Sequence, residues 1–216
     1  MKYEMIVFDW DGTLLDSAGA IVLAIQAACR DLGLPAPSDP QARHVIGLGL
    51  ADAMRHAVPD LGQEHYQKMI DRYRFHYLSG DHQLTLFEGV RELLWELQQR
   101  GHILTIATGK SRAGLERALD HSGLRPSFQS SRCADECHSK PHPQMLDELM
   151  GEFGVATEST LMIGDTSHDL LMARNAGVSG LGVTYGAHPH EHLAEHAPLA
   201  CLHTVEELRV WLAANG

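Results

Sequence analysis

Met5-Ile6-Val7-Phe8-Asp9-Trp10-Asp11-Gly12-Thr13 is the stretch that decides the fold. Its first four residues form an apolar run of the length of a buried strand, bounded at once by polar and turn-forming residues. Asp9 and Asp11 follow directly, and in open α/β sheets ligands collect beyond the carboxyl ends of the strands. Residues two apart in an extended chain point the same way, so both carboxylates can face one small site. Like charges that close call for a neutralising cation, a shared proton, or solvation in a turn where Gly12 ends the strand. The stretch alone leaves all three open.

Working outward, similar runs recur at Ile103-Leu104-Thr105-Ile106-Ala107, Leu161-Met162-Ile163 and Leu181-Gly182-Val183-Thr184. Between them lie amphipathic patterns: Val90, Leu93, Leu94 and Leu97 before Arg100-Gly101; Leu115, Ala118 and Leu119 before Gly123; Met145, Leu146, Leu149 and Met150; and Leu170, Leu171 and Ala173 before Gly177. Strands alternating with helices predict an α/β fold, a parallel sheet with crossover helices. Residues 16–83 break this rhythm. They carry helical patterns from Ile21 to Leu32 and from His65 to Leu78, separated by the turn cluster Pro35-Ala36-Pro37-Ser38-Asp39-Pro40, and no central strand. The expected organisation is a core from 1–15 and 84–216, with a smaller helical insert at 16–83.

Composition sets limits on function. With 44% hydrophobic residues and 21% charged over 216 residues, the chain can bury a core of its own. A formal charge of -11 repels nucleic-acid phosphates and anionic membranes, and no basic patch offsets it. No apolar run reaches the roughly 20 residues that span a bilayer, and Met1-Lys2-Tyr3-Glu4 opens no signal-peptide pattern, so the expected location is the cytoplasm. Cys29, Cys133, Cys137 and Cys201 read as free thiols. Cys133, Cys137 and His138 fall short of a zinc-ligand pattern, and His188, His190, His192 and His196 read as a solvated loop and helix face before a metal site.

A second acidic cluster, Gly164-Asp165-Thr166-Ser167-His168-Asp169, comes after the run at Leu161 and supplies carboxylates at the same expected sheet edge. Such an oxygen-rich site suits magnesium, with Asp165 at the strand end the better ligand. Asp169 has two readings, metal ligand or partner of Thr166 in a helix capping box. Thr108 and Lys140 can both donate to phosphoryl oxygens. Lys110 competes with Lys140, and spacing does not choose between them.

Taken in order, Asp9-Trp10-Asp11-Gly12-Thr13, Thr108, Lys140 and Gly164-Asp165 with Asp169 resemble the four motifs of the haloacid dehalogenase superfamily, over essentially the whole chain. The resemblance implies a Rossmann-like parallel core flanked by helices, with the insert as a mobile cap, and it favours Lys140 over Lys110. Leu14-Leu15-Asp16-Ser17, Ser139-Lys140-Pro141-His142-Pro143 and Gly164-Asp165-Thr166 look most like the phosphoglycolate phosphatase branch. The activity this resemblance implies is that of a magnesium-dependent phosphatase of small phosphomonoesters, phosphoglycolate-like or sugar phosphates, acting as a monomer or homodimer. Asp9 would be the nucleophile, Asp11 the acid and base, Thr108 and Lys140 the phosphate contacts, and Asp9, Asp11, Asp165 and Asp169 the metal-site residues. Alternatives within the family are a phosphomutase, a pyrophosphatase and, disfavoured by Asp11, a haloacid dehalogenase; a non-catalytic binding protein is the alternative outside it. The cap loop Arg43-His44-Val45-Ile46-Gly47-Leu48-Gly49 is the expected specificity reader, with Arg43 or His44 either contacting a substrate carboxylate or facing solvent.

Overall fold

The computed structural model describes residues 2–216, so Met1 of the expected core range lies outside it. Strand β1 (Met5–Phe8) is buried at all four positions, as its unbroken apolar run requires. Its side chains alternate between faces. Ile6 and Phe8 join one core cluster with Leu104, Ile106 and Ile163, while Met5 and Val7 join another with Met162 and Leu149. Around β1 stand β2 (Ile103–Thr108), β3 (Ser130–Cys133), β4 (Thr160–Gly164), β5 (Ser179–Val183) and β6 (Cys201–Leu202), in the order β3-β2-β1-β4-β5-β6 with every pairing parallel. The connection direction reverses between β1 and β4, the switch point where open α/β sheets place their ligands.

The parallel α/β architecture agrees with the sequence reading, but β3 and β6 are absent from that reading. Both are edge strands. In β3, Ser130 and Arg132 are half-buried and bind Glu152 and Glu148, so the segment lacks the apolar run that marks a central strand. Cys133, one of the four cysteines read as free thiols, ends this strand and is buried.

After residues 16–83, which hold helices α1 (Ala18–Asp31), α2 (Asp39–His44), α3 (Leu50–Ala57) and α4 (Tyr66–Gly80), the crossover helices are α5 (Val90–Gln99), α6 (Arg112–Ser122), α7 (Gln144–Phe153) and α8 (Ser167–Asn175). They are followed by the short α9 (His190–Ala194) and by α10 (Val205–Asn215). Leu93, Leu115 and Leu208 bring α5, α6 and α10 to one sheet face, and Leu149 and Met172 bring α7 and α8 to the other. α2 and α3 are additions to the sequence reading. α2 starts inside the proline cluster, where Gln41 Oε1 accepts the Ser38 N–H and Pro40 sits in the first turn, which needs no donor from it.

Ile21, Ile25, Met54 and Met69 give α1 to α4 an apolar cluster of their own, with Ala187 of the sheet side touching it. The insert leaves and rejoins the sheet through neighbouring strands of chain. Asp16 N–H donates to Thr85 O and Phe87 N–H to Leu14 O, both at 3.0 Å. Among the described residues no helix is long and apolar enough to cross a membrane.

Candidate active site

Three strand ends and one loop converge on a single point. Asp9 extends β1, its N–H held by Ile163 O at 2.9 Å; Thr108 ends β2; Asp165 follows β4. The loop after β3 carries Lys140, whose Nζ lies 2.8 Å from Asp9 Oδ1 and 2.6 Å from Asp169 Oδ1. All of these side chains are buried. Burial pulls the Lys140 ammonium toward its neutral form, but Asp169 and then Asp9 outweigh it and leave the group charged. Burial pushes the Asp9 carboxyl up to about 7 against the opposing pull of Lys140. Among the described residues no donor other than the Lys140 ammonium reaches either Asp9 oxygen.

Asp165 is fixed from both sides, Oδ1 by the Thr13 hydroxyl at 2.8 Å and Oδ2 by the Ala187 N–H at 2.7 Å. Burial, then the charges of Asp9 and Asp169, hold its carboxyl well above the usual range. The chain reaches this packing through Gly12, at φ +81°, where an added Cβ would stand 2.1 Å from Asp165 Oδ2. Gly12→Ala therefore combines a left-handed backbone with a clash against a pinned carboxylate. It should lose at least about 2 kcal/mol in urea denaturation. Gly19→Ala, in a helix with open space around it, should be neutral or stabilising by up to about 1 kcal/mol. Equal stability of the two variants would contradict this account.

Asp169 meets the capping-box description: Oδ2 accepts the Thr166 N–H at 3.0 Å and the Thr166 hydroxyl at 2.7 Å, while Oδ1 takes Lys140. Thr108 Oγ1 accepts the Lys110 N–H at 3.2 Å, leaving its own proton to donate elsewhere. Lys110 does not join Lys140. Its Nζ lies 3.0 Å from Asp11 Oδ2 and 3.0 Å from the hydroxyl of Tyr77 on α4. Ser17 Oγ donates to Asp11 Oδ1 at 2.7 Å, so both Asp11 oxygens are held. Thr13, Ser17 and Tyr77 are site residues that the sequence reading misses. The first two sit within eight residues of Asp9 and offer a signal by proximity; Tyr77 offers none, being distant in sequence and part of a helical apolar pattern.

Ligand atoms of Asp9, Asp165 and Asp169 lie within 4.8 Å of one another. With Asp11 these make four carboxylates against two ammoniums, Lys110 and Lys140, an excess of two negative charges when all are ionised. Buried Asp9, with Lys140 as its one cationic neighbour among the described residues against this carboxylate excess, and the all-oxygen donor set fit a hard divalent cation such as magnesium.

The other sequence candidates stay apart from this point. Cys137 lies against Glu148, and Cys133, Cys137 and His138 form no ligand group among the described residues. His188 is a correction to the solvated-loop reading: it is buried, its Nδ1 accepts the Ser167 N–H at 3.1 Å and its Nε2 faces His44 O at 3.2 Å. Burial first, then His168 and His44, depress it to about 4, consistent with a neutral ring. His44, His188 and His192 do cluster, but ligation by His188 would forfeit one of its two hydrogen bonds. Arg43 reaches Gly186 O at 3.4 Å and His44 stacks on His188, so neither lines the cavity above Asp9. Val45 to Leu50 of the same loop do.

A parallel sheet with this carboxylate–lysine cluster at its switch point defines a class, and similarity to known proteins names it. The family model for haloacid dehalogenase-like hydrolases matches residues 6–183. The chain belongs to that family. It is 35% identical to the protein named Probable phosphatase IndB of Dickeya dadantii, over 94% of this chain and 91% of that one. To the phosphoglycolate phosphatase of Vibrio cholerae it is 33% identical, over 90% of each. The crystal structure of a predicted phosphoglycolate phosphatase from Haemophilus somnus superposes with a TM-score of 0.87 at 26% identity, covering 98% of this chain and 99% of that one.

Proposed function

We propose that this hydrolase is a magnesium-dependent phosphatase that cleaves a phosphomonoester metabolite through an aspartyl-phosphate on Asp9. The observation that carries the reading is the Asp9 carboxylate: buried, with no donor on its oxygens but the Lys140 ammonium at 2.8 Å, and at the lining of a cavity. A desolvated carboxylate poised next to a cation is a ready nucleophile for phosphorus. The names of the relatives point the same way.

In the first half-reaction an Asp9 oxygen bonds to phosphorus as the bond to the alkoxide breaks, and Asp11 protonates the departing oxygen. In the second, Asp11 takes a proton from water, the hydroxide attacks phosphorus, and Asp9 leaves as a carboxylate with inorganic phosphate. Ser17 and Lys110 hold Asp11 in place for both roles. Lys140 and the Thr108 hydroxyl donate to the oxygens of the transferring group. Asp169 aims the ammonium through Oδ1 and, like Asp165, whose two oxygens also accept hydrogen bonds, keeps lone pairs that a metal could use. The side chains of Asp9 and Asp165 and the Asp11 carbonyl would hold magnesium, which supplies the charge that lets a carboxylate approach a phosphate dianion. Residues 16–83 act as the cap and 1–15 with 84–216 as the core, with motion absorbed at the paired connections near Leu14 to Asp16 and Gln83 to Thr85.

Removal of magnesium with a chelator should lower kcat by about a hundredfold or more, with recovery on adding magnesium back. Magnesium at about 100 times its Kd should also stabilise the metal-free protein by about 2.7 kcal/mol, read by calorimetry. Full activity in chelated enzyme would count against the reading. A phosphomutase would instead return the phosphoryl group to a sugar, so inorganic phosphate released in step with substrate loss selects the phosphatase.

A further inference from the structure

The cavity above Asp9 has a volume of about 780 Å³. Pockets of roughly 300–1,000 Å³ enclose whole drug-sized ligands. At about 30 Å³ per water this one would hold on the order of two dozen, far more than a two-carbon leaving group displaces. The room is not a gap left by a lifted cap. Gly49 N–H on the cap loop donates to Ser139 Oγ at 2.8 Å, and a Cβ on Gly109 would stand 2.5 Å from Leu48 O, so cap and core already touch backbone to backbone.

The lining is divided by chemistry. Asp9, Asp11 and Thr108 make one polar end, where the phosphoryl group would sit. The cap supplies aliphatic walls, including Ile21, Ile25, Met54 and Ile70, and a pair of stacked rings, Tyr73 and Tyr77, with centroids 5.9 Å apart and planes 18° from parallel. Three cations line the cavity as well: Lys110 pairs with Asp11 and lies over the Tyr77 ring, 4.7 Å from its centroid, while Arg117, 3.8 Å from Asp81, and Arg74 both reach solvent. A two-carbon leaving group on a phosphoryl held at Asp9 is too short to cover these aliphatic walls and would leave them facing water. A flat apolar group would gain burial and ring contact.

We infer that the substrate is a phosphomonoester whose alcohol carries a flat, largely apolar ring seated against Tyr73 and Tyr77. The reaction assumed rests on the phosphatase reading above; the ligand preference of the cavity rests on its walls. The test compares kcat/KM, with magnesium present, for benzyl phosphate, adenosine 5′-monophosphate, glycerol phosphate and 2-phosphoglycolate, all esters of alcohols of similar leaving ability. At least one ring-bearing ester should exceed 2-phosphoglycolate by about a hundredfold, the scale of hydrophobic-pocket discrimination. The benzyl and nucleoside arms tell a simple ring from one joined to a sugar. Tyr73→Ala should cut the ratio of ring ester to 2-phosphoglycolate by about tenfold. Preference for 2-phosphoglycolate, or an equal effect of Tyr73→Ala on every ester, overturns the inference. A second measurement separates the two readings: titration of benzyl alcohol and adenosine into the Asp9→Asn protein, followed by NMR. If no ester is turned over, the phosphatase reading fails; saturable ring binding weakened by Tyr73→Ala still upholds the cavity assignment, and no binding overturns it.

Discussion

Asn in place of Asp9 should abolish turnover and leave the protein at least as stable as before. An amide is neither an adequate nucleophile nor an anionic ligand, so kcat should fall by at least about a thousandfold. Stability moves the other way because the native carboxylate is costly where it stands. Its folded pKa, about 7, lies above the ordinary value of 3.8. A carboxyl raised on folding contributes stability that is complete below the unfolded pKa and is lost as pH rises through the folded one. In metal-free wild type, this contribution should therefore decline between about pH 4 and pH 7, by on the order of a few kcal/mol. Asp9→Asn should lack that decline. Urea denaturation at several pH values in chelator, beside steady-state kinetics in magnesium, measures both effects. A folded variant that keeps near-normal turnover would remove Asp9 from the role of nucleophile.

The second large effect is expected at Lys140. Its ammonium is the one cation touching both Asp9 and Asp169 among the described residues, and the three side chains are essentially unexposed. Lys140→Met keeps much of the volume and strands the two carboxylates in a dry site, which typically costs about 3–5 kcal/mol. Loss of its donor to the transferring group should lower kcat by about a hundredfold or more. Without the ammonium the Asp9 carboxyl would titrate higher still, so the variant should regain stability relative to wild type as pH falls. Adding Asp9→Asn to Lys140→Met should restore part of the stability and none of the activity, a coupling expected of groups in direct contact. Additive losses in that cycle would mean the 2.8 Å contact carries no energy.

Much of this is legible in the chain because it is written locally. An apolar run ending in Asp9 and Asp11, and another ending in Asp165, mark buried strands with carboxylates at their ends whatever else the protein does. The alternation with helical patterns then dictates a parallel sheet, since parallel strands need crossovers. Resemblance to a known family joins these points to Thr108 and Lys140. Strands β3 and β6 escape notice because edge strands need no apolar face on their solvent side. Lys140 and Lys110 are equivalent by spacing, and only the path of the loop after β3 carries one to Asp9 while the other meets Asp11 and Tyr77.

Four of the six strands, the helical patterns of residues 16–83 and the carboxylates at the strand ends are legible without the structure, all features set by residues close together in the chain. The tertiary structure alone decided how those charges pair and what the insert's apolar faces cover. Arg43 and His44 are plausible readers of substrate because they are polar and lie in the cap loop, yet their partners are Gly186 O and His188. Tyr73 and Tyr77, one helical turn apart on α4, carry the same periodic signal as Met69, which is wholly buried in the cap cluster. Periodicity shows which side of a helix avoids water. Whether that side meets another helix or lines a cavity depends on where chain segments far away in sequence come to rest.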